Sequence, residues 1–403
     1  RRRRNARIAS LKPTLHDPLP SDLSHGLAPP RLTAVEMFAG IGLVRLALEQ
    51  QGWRVAFAND IDPKKREMYR SNFPGDHFHL GDIHELRAVD VPDCELVTAS
   101  FPCNDLSIAG AWSGLNGSES SAFWGLIDLL ESMGSRKPPI VMLENVLGFL
   151  QSDGGKDLDT ALKAMNRLGY AVDAFILNAR HWVPQSRVRL FVVAHTAGTS
   201  DFPASAVQPT AARPALLTAF INTHPTIRWD IRALPPLPKS RKTLRDIVED
   251  LPDDDPHWWN AERSSYFLAQ LSPRHLMAAR LMMGQAQPIY ATAFRRVRNG
   301  RSMAELRTDG IAGCLRTPRG GSGRQILFKA GQGRYQVRLL TARECARLQG
   351  VPDSYVIDVP LNQALFGFGD AVCVPAVRWI VKNYLTPLAT SLVAAARSPL
   401  LFR

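Results

Sequence analysis

Val35-Glu36-Met37-Phe38-Ala39-Gly40-Ile41-Gly42 carries an apolar run into a glycine-rich turn, and an amphipathic, helix-forming stretch follows over residues 43–50. Glycines at such a turn let the backbone approach a ligand closely. Twenty residues past Gly40 a second apolar run ends in Asn59-Asp60-Ile61-Asp62. Asp60 is thereby placed to accept hydrogen bonds from ribose hydroxyls, as strand-end acids do in nucleotide-binding α/β sheets. A third run ends in Leu80-Gly81-Asp82-Ile83, offering the Asp82 carboxylate to an adenine amino group and the Ile83 side chain to the face of the ring. Together these three strand ends describe an adenosine pocket. The turn itself is weak evidence, because Leu43 follows Gly42 where the dinucleotide fingerprint has further glycine spacing. The ordered set carries the reading, and a nicotinamide-dependent oxidoreductase is left a distant alternative.

Working outward, short apolar runs at 55–58, 96–99, 140–143 and 190–194 alternate with amphipathic stretches such as 158–168. That rhythm predicts an α/β fold, Rossmann-like, with a mostly parallel sheet. The fourth run leads into Ser100-Phe101-Pro102-Cys103-Asn104-Asp105-Leu106-Ser107, which sets Cys103 at a carboxyl strand end beside a proline-fixed turn. Ligands bind at that edge of open α/β sheets. The fifth run ends in Glu144-Asn145-Val146, bringing an acid to the same edge. Gln185-Ser186-Arg187-Val188-Arg189 then enters a strand, and period-two alternation puts Gln185, Arg187 and Arg189 on one face. Cys94, Cys314, Cys345 and Cys373 read as structural cysteines, the common fate of this residue type.

Composition narrows the function classes. Five cysteines with no CxxC pair fit neither a disulfide framework nor a zinc site, so no metal and a reducing, cytoplasmic setting are expected. No uninterrupted apolar run of membrane-spanning length is read from the sequence, and no signal peptide follows Arg1 to Arg4. The formal charge of +12 suggests a polyanionic partner. Residues 263–337 hold thirteen Lys and Arg against only Glu305 and Asp309, so nearly all the net charge sits there. Four segments are predicted from these shifts: a flexible basic arm at 1–30, a catalytic and cofactor-binding domain at 31–195, a smaller irregular domain at 196–337, and a return to the first domain at 338–403.

These landmarks resemble the C5-cytosine-specific DNA methyltransferase family of bacterial or phage restriction-modification systems. The resemblance rests on Phe38-Ala39-Gly40-Ile41-Gly42, Pro102-Cys103, Glu144-Asn145-Val146 and Gln185-x-Arg187-x-Arg189, in that order. It continues through residues 338–350, ending Arg347-Leu348-Gln349-Gly350, and through Gly369-Asp370-Ala371-Val372. Two positions depart from many relatives: Asn104 replaces Gln, and Asp370 replaces Asn.

The resemblance implies S-adenosyl-L-methionine as cofactor, held by Phe38, Ala39, Gly40, Ile41, Gly42, Asp60, Ile61, Asp82, Ile83, Pro102, Asp370, Ala371 and Val372. It implies that Cys103 adds to C6 of a cytosine flipped out of double-stranded DNA, with Glu144 at N3 and the exocyclic amine and Arg189 at O2. Arg187 would position neighbouring groups. Ser107, Gln185, Arg316, Arg319 and Arg324 would face the DNA, the last three from a glycine-spaced arginine cluster inside the target-recognition segment. A cognate restriction endonuclease encoded nearby is a candidate partner, and a cytoplasmic, nucleoid-associated location is expected. Two alternatives stay open: a tRNA cytosine-5 methyltransferase, whose Cys-Phe-Thr signature is absent here, and a catalytically idle DNA-binding regulator of the same fold.

Overall fold

The computed structural model describes residues 31–102, 121–197, 206–298, 300–317 and 323–397. Cys103, Ser107 and Arg319 lie outside the described residues. The strands of the main sheet are β1 (Thr33–Met37), β2 (Arg54–Asp60), β3 (Phe78–Leu80), β4 (Leu96–Ala99), β5 (Ile140–Val146), β6 (Ala171–Asn178) and β7 (Val188–His195). They lie in the order β3-β2-β1-β4-β5-β7-β6. The first five are parallel, and β7 runs antiparallel between β5 and β6. Helices α1 (Leu43–Glu49), α2 (Pro63–Asn72), α3 (Ala122–Ser132), α4 (Gly148–Gln151) and α5 (Lys156–Arg167) belong to the crossovers. The mostly parallel Rossmann-like sheet predicted from the alternating pattern is therefore present. Its apolar strands are buried on both faces, as a covered parallel sheet requires: β4 is buried throughout, and two hydrophobic clusters flank the sheet.

Strand order reverses at β1 and β4, and the carboxyl edge there is where a crevice opens in such sheets. Because β7 is reversed, its first residues reach that same edge. The register pairs Val146 with Arg189, so an arginine at the start of one strand meets an acid near the end of its neighbour.

Downstream, α6 (Ala215–Thr223) and the residues after it pack along β6, with Val172 N donating to Arg228 O at 2.9 Å and Asp230 N to Val172 O at 2.9 Å. Helices α7 (Ala261–Ala269) and α8 (Pro273–Met283) cover a second, antiparallel sheet. Its strands β8 (Ile289–Arg298), β9 (Arg301–Arg307), β10 (Ile326–Gly331) and β11 (Arg334–Leu339) are ordered β11-β10-β8-β9 around a core including Phe267, Ala293 and Phe328.

The chain returns through α9 (Ala342–Leu348), whose Thr341 cap and Glu344 form the reciprocal capping box expected of Thr-x-x-Glu. Arg338 and Glu344, both fully buried, pair beside it at 2.5 Å. Then come α10 (Leu361–Asp370), α11 (Val374–Ile380) and α12 (Thr386–Arg397). α11 runs on through one wide turn over Val381–Leu385 into α12. Within Leu361–Ala396 an 18-residue window reaches a mean hydropathy of 1.5, but Asp370, Arg378 and Lys382 interrupt the run and 61% of that window is buried within the protein. Hydropathy alone does not separate a core helix from a membrane span.

Candidate active site

At the carboxyl edge of β1, β2, β4 and β5 lies a cavity of about 460 Å³. It falls within the roughly 300–1,000 Å³ usual for small-molecule sites. Phe38, Ala39, Gly40, Ile41, Asp60, Ile61, Asp82, Ile83, Pro102, Asp370, Ala371 and Val372 all line it, together with Glu144, Arg187 and Arg189. Residues separated by more than 300 positions in sequence thus share one wall, because the segment after α10 folds back over the glycine-rich turn. Gly42 does not line the cavity. It closes the turn at φ +81°, where a Cβ would stand 2.5 Å from Phe73 Cε2, so its task is packing the turn against α2.

The cavity has two chemically distinct halves. In one, Asp60 accepts from Gly40 N at 2.7 Å through Oδ2 and from Asp62 N at 2.9 Å through Oδ1. Burial pushes this carboxyl up from its ordinary value while Lys65 and those two amides pull it back. A carboxylate has about four acceptor sites, so two remain for hydroxyl donors. Asp82 caps the short turn after β3, accepting from His84 N at 3.0 Å. Ile61 stands 65% exposed at the wall and offers apolar surface to a ring. Carboxylates beside aliphatic walls fit an adenosine: acceptors for hydroxyls and an amine, and apolar surface for a ring.

In the other half, Glu144 is only 6% exposed and forms an ion pair with Arg189, Nε to Oε1 at 3.0 Å. That contact lacks hydrogen-bond angles, and Glu144 Oε1 has no other hydrogen-bond partner among the described residues. A buried acid with an unspent oxygen facing a cavity fits a polar ligand. Arg189 also donates to Val188 O at 2.9 Å.

Arg187 is 2% exposed and is spent on the protein. Its guanidinium donates to Leu315 O at 3.0 Å, Gly369 O at 3.2 Å and Ala371 O at 2.6 Å, and lies 3.3 Å from Cys314 Sγ. It therefore ties three segments distant in sequence around the cavity. Gln185, expected at the DNA, is fully buried instead: it donates to Leu348 O at 2.8 Å and accepts from Leu315 N at 3.0 Å. Gln185, Arg187 and Arg189 do share one face, all reaching Cys314 or Leu315, but the segment bridged at Ala312 covers Gln185 there. Of the arginine cluster, Arg316 is exposed, and Arg324 is half-buried with its guanidinium hydrogen-bonded to Asn362.

Two groups escaped the sequence reading. Glu36 lines the cavity from within β1, buried, with Oε2 unpartnered and burial pushing its carboxyl up to about 8. An acid inside the otherwise apolar Thr33–Met37 was its signal. Cys314 was read as bland, yet it sits against Arg187; burial raises its thiol, and Arg187, Arg189 and Arg316 together bring it below the ordinary value. Among the described residues no group of three His, Cys, Asp or Glu is arranged to hold a metal. A broader open cleft of about 1200 Å³, lined by Trp258, Trp259 and Arg263, carries none of these site groups.

Comparison with known proteins follows the same outline. The family described as C-5 cytosine-specific DNA methylase matches residues 32–386. The chain is 28% identical over 367 residues to the type II methyltransferase M.HhaI of Haemophilus parahaemolyticus, covering 87% of this chain and 94% of that one. It is 29% identical to the type II methyltransferase M.HpaII of Haemophilus parainfluenzae, covering 89% and 90%. In fold it is similar to the S. pombe Dnmt2 methyltransferase crystal structure, with a TM-score of 0.58 at 20% identity over 89% of this chain and 99% of that one.

Proposed function

Since the chain belongs to the C-5 cytosine-specific DNA methylase family, we propose that it moves a methyl group from S-adenosyl-L-methionine to C5 of a cytosine flipped out of duplex DNA, through a covalent bond from Cys103 to C6. The observation that supports this most is the meeting of Glu144 and Arg189 in one cavity with Asp60, Asp82 and the glycine-rich turn. A base-binding acid and base-binding cation stand beside an adenosine-shaped half, and Pro102, the residue before Cys103, lines the same wall.

When bound, S-adenosyl-L-methionine supplies an electrophilic methyl group. Phe38 to Ile41, Ile61, Ile83 and Pro102 would enclose it, Asp60 would take the ribose hydroxyls, Asp82 the adenine amine, and Asp370 to Val372 the far wall. The Cys103 thiolate attacks C6, and the electron pair pushed into the ring is stabilised at N3 by a proton held by Glu144 and at O2 by Arg189. C5 is thereby made nucleophilic enough to accept the methyl. Loss of the C5 proton then lets the ring electrons expel the cysteine, leaving 5-methylcytosine.

Arg187 acts as a positioning residue, and Gln185 as an internal strut rather than a DNA contact. Residues 31–195 and 338–403 serve catalysis and cofactor binding, and 196–337 serve target recognition, with Arg316, Arg319, Arg324 and Ser107 on the DNA side. A cytoplasmic, nucleoid-associated enzyme with a cognate endonuclease encoded nearby belongs to the same reading.

The test offers duplex DNA and tRNA in parallel with methyl-labelled cofactor, followed by bisulfite sequencing. Label should enter DNA as 5-methylcytosine at one short sequence and leave tRNA blank. Label in tRNA alone, or in neither, would overturn the assignment and favour the tRNA enzyme or the idle regulator respectively.

A further inference from the structure

Lys65, on α2, and Asp370, at the end of α10, both line the cavity, and Lys65 Nζ lies 2.7 Å from Asp370 Oδ2. Their side chains are 22% and 47% exposed, which places the pair at the cavity's mouth. An ion pair at a partly open mouth adds little net stability, so a ligand's own charges can replace it at small cost.

The remaining cations of the wall are committed. Arg187 is spent on backbone carbonyls and Arg189 on Glu144 and Val188 O. Apart from His84, Lys65 is the cation the described wall offers to a ligand carboxylate. The cavity's division fixes which part of a ligand reaches it. On the cofactor reading, adenine would lie toward Asp82 and Ile83, the ribose at Asp60, and the methyl facing Glu144 and Pro102. The amino-acid end is then left the direction of Gly40, Lys65 and Asp370. That end is a zwitterion, one carboxylate and one ammonium, and the wall there carries the Lys65 ammonium with the Asp370 carboxylate, Asp60 and Asp62 also facing Lys65.

We propose that Lys65 and Asp370 form an exchangeable ion pair that opens on cofactor binding, Lys65 taking the ligand carboxylate and Asp370 the ligand ammonium. The inference rests on the cofactor reading above. The pair closes the mouth when the ligand is absent and reads the amino-acid end when it is present, so this chain discriminates between whole cofactor and truncated nucleosides at this point.

Calorimetric titration of the full chain tests it with three thioethers: S-adenosylhomocysteine, its decarboxylated amine S-adenosyl-3-thiopropylamine, and 5′-methylthioadenosine, which lacks the amino-acid end. Lys65→Met should weaken S-adenosylhomocysteine about tenfold, the loss of one partly exposed charged hydrogen bond, with 5′-methylthioadenosine unchanged and Lys65→Arg restoring most of it. The decarboxylated amine should be no weaker on Lys65→Met but weaker on Asp370→Asn. Equal losses for all three ligands, with a lowered melting temperature, would make the pair purely structural and overturn the proposal, as would no loss at all. Wild-type protein that binds none of the three would sink the cofactor reading together with it, a result distinct from binding that ignores Lys65.

Discussion

Glu144→Gln should lower methyl transfer to duplex DNA by on the order of 10²–10⁴-fold, the range lost when a positioned acid is removed, while S-adenosylhomocysteine affinity stays within about twofold. The reason is the geometry of the two halves. Glu144 faces Arg189 and no adenosine-side group, and its Oε1 lacks a hydrogen-bond partner among the described residues. A glutamine keeps the shape and accepts from Arg189, but it has no proton to place on N3 as charge arrives in the ring. Single-turnover rates with labelled cofactor, beside calorimetric binding, separate the two effects. A loss under tenfold would move the acid's role elsewhere.

Arg187→Ala should destabilise the fold by on the order of 3–5 kcal/mol, because it removes a donor from three carbonyls and leaves a cavity where a fully packed side chain stood. Leu315, Gly369 and Ala371 would all lose this donor, Ala371 O keeping Gln349 Nε2 at 3.1 Å and Leu315 O only the weak Cys314 thiol. Since Ala371 lines the cavity, cofactor affinity should fall as well. Arg187→Lys should recover little: one ammonium cannot span carbonyls that a planar fork reaches together. Urea denaturation midpoints with an unchanged slope measure the stability loss. Stability within 1 kcal/mol of wild type would mean that water replaces the guanidinium without cost.

The parallel half of the sheet was legible because each buried strand is a short apolar run ending in a polar or glycine-rich turn, and the chain repeats that unit five times before residue 150. The chemistry-bearing ends of those strands were legible for the same reason, since parallel strands deliver their last residues to one edge. Neighbour relations across the sequence were not. Nothing in the pattern says that β7 inserts antiparallel between β5 and β6, yet that insertion puts Arg189 on Glu144. Gln185 and Arg187 do share one face with Arg189, but alternation reports direction along the chain and not what packs over it, here the segment bridged at Ala312. Glu36 and Lys65 were passed over since a single acid in a strand and a single lysine in a helix are ordinary until the chain's end folds over them.

The bond between Cys103 and a cytosine ring is open to direct capture. Duplex DNA in which every cytosine carries fluorine at C5 blocks the final proton loss, so enzyme, cofactor and this DNA should accumulate a denaturation-resistant complex that tryptic mapping places on Cys103. A methylated ring without any such complex, or a complex on Cys314 in place of Cys103, would contradict the covalent route.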